Sequence, residues 1–417
     1  YSLNVITVAT NVTDGFLRFN RSVNVYNLNL EVLGLNDVWK GGDVTRTTGG
    51  GYKINLLKNA LKKYKDDQQR IVLFVDSYDV VINSVKDEIL KRFLETDAKV
   101  LFSAEGFCWP DKSLTSSYPK LEKPGKRFLN SGGFIGFAPV LNEIVSYSEI
   151  EDTDDDQLYY THIYINDTLR QKWSIKLDHR ATIFQNLNGA VGDVELSISD
   201  SGDVVVKNTA YLTYPLIFHG NGASKITINS LGNYLAKAWT PQQCSACSEG
   251  VISLKQINPE DAPVVVIALF VEHATPFLYE FFENILNLRY PKSRIYLVIH
   301  NAVSYHEPLV EEFVSNNKNK YKSLKTYPLT TPDWQARNMA IEQCLKVECD
   351  YYLSVDSDAR LTNDKTLIKL IEQNRKVISP MLVRHKSVWA NFWGAISHDG
   401  FYARSHDYMD IVKNKRR

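Results

Sequence analysis

"IVLFVDSYDVV" (residues 71–81) runs five apolar residues into Asp76, and Asp79 follows three positions later before the apolar residues resume. So continuous an apolar strand reads as buried on both faces, as in a mainly parallel sheet covered by helices. Ligands of open α/β sheets bind outside the carboxyl ends of the strands, and both aspartates stand at such an end. Polar residues also terminate strands for ordinary reasons. Two hard oxygen donors at this place nevertheless suit a divalent cation held against a phosphate-bearing substrate.

Working outward, "NVITVAT" (4–10) reads as a strand. "GGYKINLLKNALKKY" (50–64) spaces Ile54, Leu56, Leu57, Ala60 and Leu61 along one helix face. "AKVLFSAE" (98–105) and "GGFIGFAP" (132–139) add two strands. Periodicity lapses in "TPQQCSACSEGVISLKQINPEDA" (240–262) and then restarts: strand 264–271, helix 275–288, strand 294–300, helix 336–345, strand 351–359. Alternating strands and amphipathic helices predict two α/β units with mainly parallel sheets, residues 1–240 and 263–417, joined by a cysteine-containing linker over 241–262.

The 48 basic and 48 acidic residues balance, which gives no electrostatic reason to expect a nucleic-acid partner. No apolar run approaches the roughly 20 residues of a membrane span. The first residue is Tyr1, consistent with a trimmed or mature chain whose leader is not seen. Cys244/Cys247 and Cys344/Cys349 form two close pairs. Two local disulfides and a zinc site built from the four are both open. The long gap between the pairs, with no histidine at finger-like spacing, favours disulfides. Sequons at Asn11, Asn20 and Asn166 point the same way, to a glycoprotein of the secretory pathway.

Three further stretches accompany the aspartates. "FLNSGGFIGF" (128–137) sets Asn130 and Ser131 before two glycines, where bare backbone lets a sugar approach or the chain simply turns. "EDTDDDQLYY" (151–160) crowds Asp152, Asp154, Asp155 and Asp156, as a solvated helix start or as a cluster facing a cation or oxocarbenium centre. "LIFHGNGASK" (216–225) delivers His219 from a strand end, where a third, non-carboxylate metal ligand is needed. There is no P-loop, no GxGxxG after a strand and no GxSxG.

The words "WKGGDV", "GGGYK", "LFVDSYDV", "FSAEGFCWP", "GKRFLNSGGFIGF", "DDDQLYYT" and "HGNGASK" resemble the amino-terminal part of the procollagen lysyl hydroxylases, above all the multifunctional type that also glycosylates. The resemblance implies two tandem GT-A-like (Rossmann-type) domains, the first a glycosyltransferase and the second accessory. It further implies a retaining transfer of glucose from UDP-glucose, with Mn²⁺, to galactosyl-hydroxylysine of collagen in the endoplasmic reticulum lumen. Fe(II) and 2-oxoglutarate belong to an oxygenase domain absent from these residues. A homodimer of the full-length protein is compatible with it. Carried over by position, Asp76, Asp79 and His219 would hold the metal. Thr10, Trp39, Val44, Lys53, Tyr78, Asn130 and Asn221 would contact the donor, with Tyr78 stacked on uracil. Trp109, Asp155 and Asp156 would line the sugar and acceptor side, with either aspartate as nucleophile or as charge stabiliser, and Cys108 would be buried and unpaired.

A rival motif, Asp356 and Asp358 in "VDSDA", ends a strand of the second unit, and "ARNMA", "DSDARLTN" and "NFWGAIS" resemble collagen galactosyltransferases. Only 59 residues follow Asp358, among them His385, His398 and His406, against 140 between Asp79 and His219. That difference favours an accessory second unit. Hydroxylysine galactosyltransfer and a catalytically weak collagen-binding scaffold stand as alternative functions.

Overall fold

The computed structural model describes residues 1–43, 48–198, 204–239, 244–384, 387–397 and 399–415. Two compact units result: Tyr1–Ala246 with Ala395–Gly400, and Cys247–Gly394 with Phe401–Arg417.

The strands of the first unit are β1 (Ser2–Val8), β2 (Leu30–Leu33), β3 (Arg70–Val75), β4 (Val80–Ile82), β5 (Val100–Glu105), β6 (Phe128–Phe137), β7 (Ile175–Asp178), β8 (Phe184–Asn186), β9 (Val194–Ile198), β10 (Val204–Asn208) and β11 (Ile217–His219). Six of them form a sheet in the order β2-β1-β3-β6-β5-β7. Only β6 runs antiparallel to its neighbours. This is the mixed α/β sheet of the GT-A type.

The opening stretch divides in two. Arg70–Val75 lies in the main sheet, and Val80–Ile82 passes into a second sheet of order β4-β11-β8. Within β3, Val72 and Phe74 enter one core with Ile54, Leu57 and Leu61 of helix α2 (Gly51–Leu61). Ile71, Leu73 and Val75 enter the opposite core with Phe16, Phe19 and Val23 of the preceding helix α1 (Asp14–Val25) and with Ile89 and Phe93 of α3 (Lys86–Glu95). Burial on both faces is why the run shows no polar alternation. Thr13 begins α1 by accepting the Phe16 N–H. Truncating the fully buried Phe19 would cost about 3–5 kcal/mol.

The glycines of "FLNSGGFIGF" do not make a turn. They lie inside the ten-residue β6, and helix α4 (Ala138–Val145) begins where the sequence suggested the strand would end. A Cβ on Gly132 would lie 2.2 Å from His219 Cε1 and 2.9 Å from Asp76 Oδ2. Glycine is what lets a reversed strand pass beneath the aspartate. The acidic run meanwhile becomes the start of α5 (Asp156–Ile165), with Asp155 as its N-cap.

The second unit carries a fully parallel sheet of order β14-β13-β12-β15, built from β12 (Val265–Val271), β13 (Ile295–Asn301), β14 (Ser323–Tyr327) and β15 (Tyr351–Asp356). One predicted flanking helix, Leu278–Leu286, lies inside its sequence-based span of 275–288, and the other, Asp333–Lys346, runs past both ends of its span of 336–345. The main core joins Ile267 and Leu269 to Phe281, Phe282 and Phe313. Both cysteine pairs are disulfides, which closes the zinc alternative. Cys108 is free and buried.

Candidate active site and metal centre

β3 ends at Val75, so Asp76 emerges at the sheet's carboxyl edge, where its N–H donates to Gly132 O at 3.0 Å. Asp79 sits at the step into β4. His219 ends β11, opposite Val80 on one side and Asn186 on the other. The small sheet thereby returns a residue 140 positions distant to the aspartates. His219 Nε2 lies 3.5 Å from Asp79 Oδ1 and 3.8 Å from Asp76 Oδ2. One ligand atom from each of the three falls within 4.8 Å of the others, the one such group among the described residues.

The tautomer follows from the neighbours. Asn186 Nδ2 donates to Ala104 O at 2.9 Å, so its Oδ1 must face His219 Nδ1, also at 2.9 Å. Nδ1 therefore carries a proton and Nε2 is turned to the carboxylates, the usual arrangement for a metal-ligating imidazole. Burial works against the imidazolium, but Asp79, Asp76 and Glu105 outweigh it and hold His219 above the ordinary histidine value. Asp79 is likewise burdened by burial, yet His219, Lys225 and Lys53 hold it below the usual carboxylate range. Two carboxylates and one imidazole are a donor set that fits Mn²⁺ or a similar divalent ion.

Lys53, on the first turn of α2, ties this centre to the acidic run. Its ammonium lies 3.1 Å from Asp76 Oδ1 and 2.8 Å from Asp156 Oδ2. Burial opposes its charge, but Asp156 and Asp76 more than compensate and raise its pKa. Asp155 spends its oxygens on the Leu158 N–H at 2.7 Å and the Gly49 N–H at 3.3 Å, while burial pushes its carboxyl up.

Tyr78 keeps its ring partly exposed, and its hydroxyl accepts the N–H groups of Thr10 and Asn11, each at 3.1 Å. Trp39 donates to Gly42 O at 2.6 Å and packs edge-on against Tyr52, 5.7 Å between centroids. Val44, His385 and His398 lie outside the described residues. Trp109 is exposed at the other side, its carbonyl accepting Gln157 Nε2 at 3.2 Å.

Sequence reasoning passed over Glu105, Asn186 and Lys225. Glu105 is buried at the end of β5 and receives Asn130 Nδ2 at 3.0 Å, Gln157 Nε2 at 2.9 Å and Asn221 Nδ2 at 3.0 Å. Asn130 and Asn221 are thus both turned by one carboxylate. The signal was available: "VLFSAE" ends an apolar strand on an acid just as "IVLFVD" does. Lys225, six residues after the histidine, is exposed with its ammonium 3.9 Å from Asp79 Oδ2. Asn186 left no local mark.

The second acidic motif is arranged differently. Asp356 Oδ1 accepts Arg337 Nη2 at 2.9 Å, Arg337 Nε donates to Asp333 at 2.7 Å, and the guanidinium lies over the Phe270 ring. Asp358 and His406 are exposed and join no metal-competent group among the described residues.

Comparison with known proteins places the chain in a family. Residues 1–245 match the family described as "PLOD GT domain", and residues 333–417 match "Glycosyltransferase family 25, N-terminal domain". Procollagen-lysine,2-oxoglutarate 5-dioxygenase 1 of Gallus gallus is 46% identical over 422 residues, covering 100% of this chain and 57% of the relative. Multifunctional procollagen lysine hydroxylase and glycosyltransferase LH3 of Homo sapiens is 47% identical over 421 residues, covering 99% and 56%. The Drosophila melanogaster procollagen-lysine,2-oxoglutarate 5-dioxygenase is 43% identical over 417 residues, covering 99% and 57%. The chain thus spans little more than half the length of these relatives. With more than half of its own residues matched by the family profile, it belongs to the procollagen lysyl hydroxylase family through its PLOD GT domain.

Proposed function

We propose that the first unit is a Mn²⁺-dependent, retaining glucosyltransferase that moves glucose from UDP-glucose to galactosyl-hydroxylysine of collagen in the endoplasmic reticulum lumen. The observation that carries this reading is the Asp76–Asp79–His219 group at the sheet's carboxyl edge. A divalent ion held there neutralises charge on the diphosphate leaving group. Tyr78, fixed through its hydroxyl, offers a ring face to the uracil, and Lys225 offers its ammonium to a phosphate. The two disulfides support an oxidising compartment.

Transfer breaks the bond between the anomeric carbon and the phosphate oxygen and forms one to the acceptor hydroxyl, whose proton passes to the departing phosphate oxygen. Asp155 is occupied as a helix cap and Asp156 as the partner of Lys53. These engagements support a charge-stabilising role for the pair, with departure and attack on one face, over a covalent glycosyl-aspartate.

The family-25 match over 333–417 favours a second reading, galactosyl transfer by the second unit. Arg337 speaks against it, since its guanidinium already balances Asp356. The test is UDP release from UDP-glucose with Mn²⁺ and a galactosyl-hydroxylysine collagen peptide, with UDP-galactose and hydroxylysine peptide in parallel. Loss in Asp79→Ala with retention in Asp358→Ala is expected. The reverse pattern would move the site to the second unit, and an inert parent chain would leave a collagen-binding scaffold.

A further inference from the structure

Phe107 and Trp109 follow Glu105 at the end of β5, two residues apart, each 53% exposed. Phe107 is nonetheless held in place. Gly189 has φ +66°, and a Cβ on it would lie 2.4 Å from Phe107 Cε2 and 2.7 Å from Cζ, so the ring edge rests on bare backbone.

The loop beneath the ring is the one that grips the metal-site histidine. Asn186 Oδ1 accepts His219 Nδ1 at 2.9 Å, the Leu187 N–H donates to His219 O at 2.9 Å, and the Asn188 N–H donates to Asn221 Oδ1 at 3.3 Å. Trp109 is tied through its carbonyl to Gln157, next to Asp156. One exposed ring therefore belongs to the loop that holds His219 and the other to the helix that begins at the acidic pair. Between them lie Glu105 and the amides it orients.

A large apolar ring left in water at the rim of the site, and held in place by a glycine with positive φ, suits an occupant with an apolar face. A hexopyranose has a rim of hydroxyls, suited to amides and carboxylates, and a C–H face, suited to an aromatic plane. Tyr78 serves the uracil side. We propose that Phe107 is the platform for the hexose ring of the acceptor and sets the preference for an acceptor that already bears a sugar. The inference rests on the glycosyltransferase reading given above and names a recognition element for its second substrate.

The test compares the parent with Phe107→Ala, Phe107→Tyr and Gly189→Ala, the last of which drives a methyl group into the ring while leaving it present. In steady-state transfer, Phe107→Ala and Gly189→Ala are expected to raise KM for the galactosyl-hydroxylysine peptide about five- to tenfold. In Phe107→Ala, KM for UDP-glucose should move less than twofold, and Phe107→Tyr should restore the parent acceptor KM. Unchanged acceptor KM in Phe107→Ala, or an equal rise for both substrates, overturns the proposal. If the parent transfers no sugar, the glycosyltransferase reading fails first, and saturation-transfer NMR with methyl β-galactoside decides Phe107 alone. Saturation of the sugar C–H protons by the parent but not by Phe107→Ala supports the platform; no difference between them, or none in the parent, overturns it.

Discussion

Asn186 Oδ1 and His219 Nδ1 lie 2.9 Å apart, and that contact decides which imidazole nitrogen faces the aspartates. Replacing Asn186 by alanine removes the orienting partner while leaving all three proposed ligands in place. Mn²⁺ affinity measured by titration calorimetry is expected to fall about 10- to 100-fold, with a folded circular-dichroism spectrum. An unchanged dissociation constant would show that the ring is held by packing alone.

Asp155 has two duties that substitution can separate. As N-cap it accepts the Leu158 N–H at 2.7 Å, a role asparagine fills equally well. Asp155→Asn should therefore keep the cap and give up only the longer Gly49 N–H contact at 3.3 Å, so it should lose less stability than Asp155→Ala, which should lose about 1 kcal/mol. Both should depress UDP release if the charge stabilises the transition state. Full activity in the asparagine variant would leave Asp155 as a cap and nothing more.

Glu105 gives a pH dependence with a definite sign. Burial raises its pKa, and the bonds from Asn130, Gln157 and Asn221 offset this only in part. A folded value above the unfolded one means the folded chain binds the proton more tightly. The resulting stabilisation is complete below the ordinary glutamate value of about 4.3 and is lost as pH rises through the elevated one. Glu105→Gln lacks this titration. Its melting temperature should gain on the parent's as pH rises across that window, and parallel curves would contradict the assignment. The amide must also meet a donor, since Asn130 and Gln157 share Oε1 and Asn221 takes Oε2. A loss of activity at every pH is expected with it.

Metal stoichiometry separates the two acidic motifs. Arg337 already supplies the cation at Asp356, so Mn²⁺ titration should give one ion per chain. Asp358→Ala should leave that number and the UDP-release rate within about twofold, whereas Asp79→Ala should remove the ion. Two ions per chain would reopen the second unit.

What the sequence made legible was what short stretches encode. The α/β class came from apolar strands between amphipathic helices, and the metal group from acids and a histidine at strand ends. The reversed direction of β6 was not legible, because strand direction depends on which neighbour a segment pairs with. The Gly132–Gly133 pair reads from sequence as a sugar contact or as a turn, since the clash that demands glycine there comes from His219, 87 residues away. Asn186 was invisible for the same reason: its meaning lies in hydrogen bonds to Ala104 and His219, neither close to it in sequence.

The distance along the chain between Asp79 and His219 has a consequence for survival as well as for chemistry. An ion shared by the two would close a loop of 140 residues without a covalent bond. It would bind the folded chain in preference to an unfolded one, adding about 2.7 kcal/mol at a hundredfold excess over its dissociation constant. The supply of the ion would then govern how long the molecule resists proteolysis as well as how fast it turns over, and starvation for it would lower the amount of protein in addition to its rate.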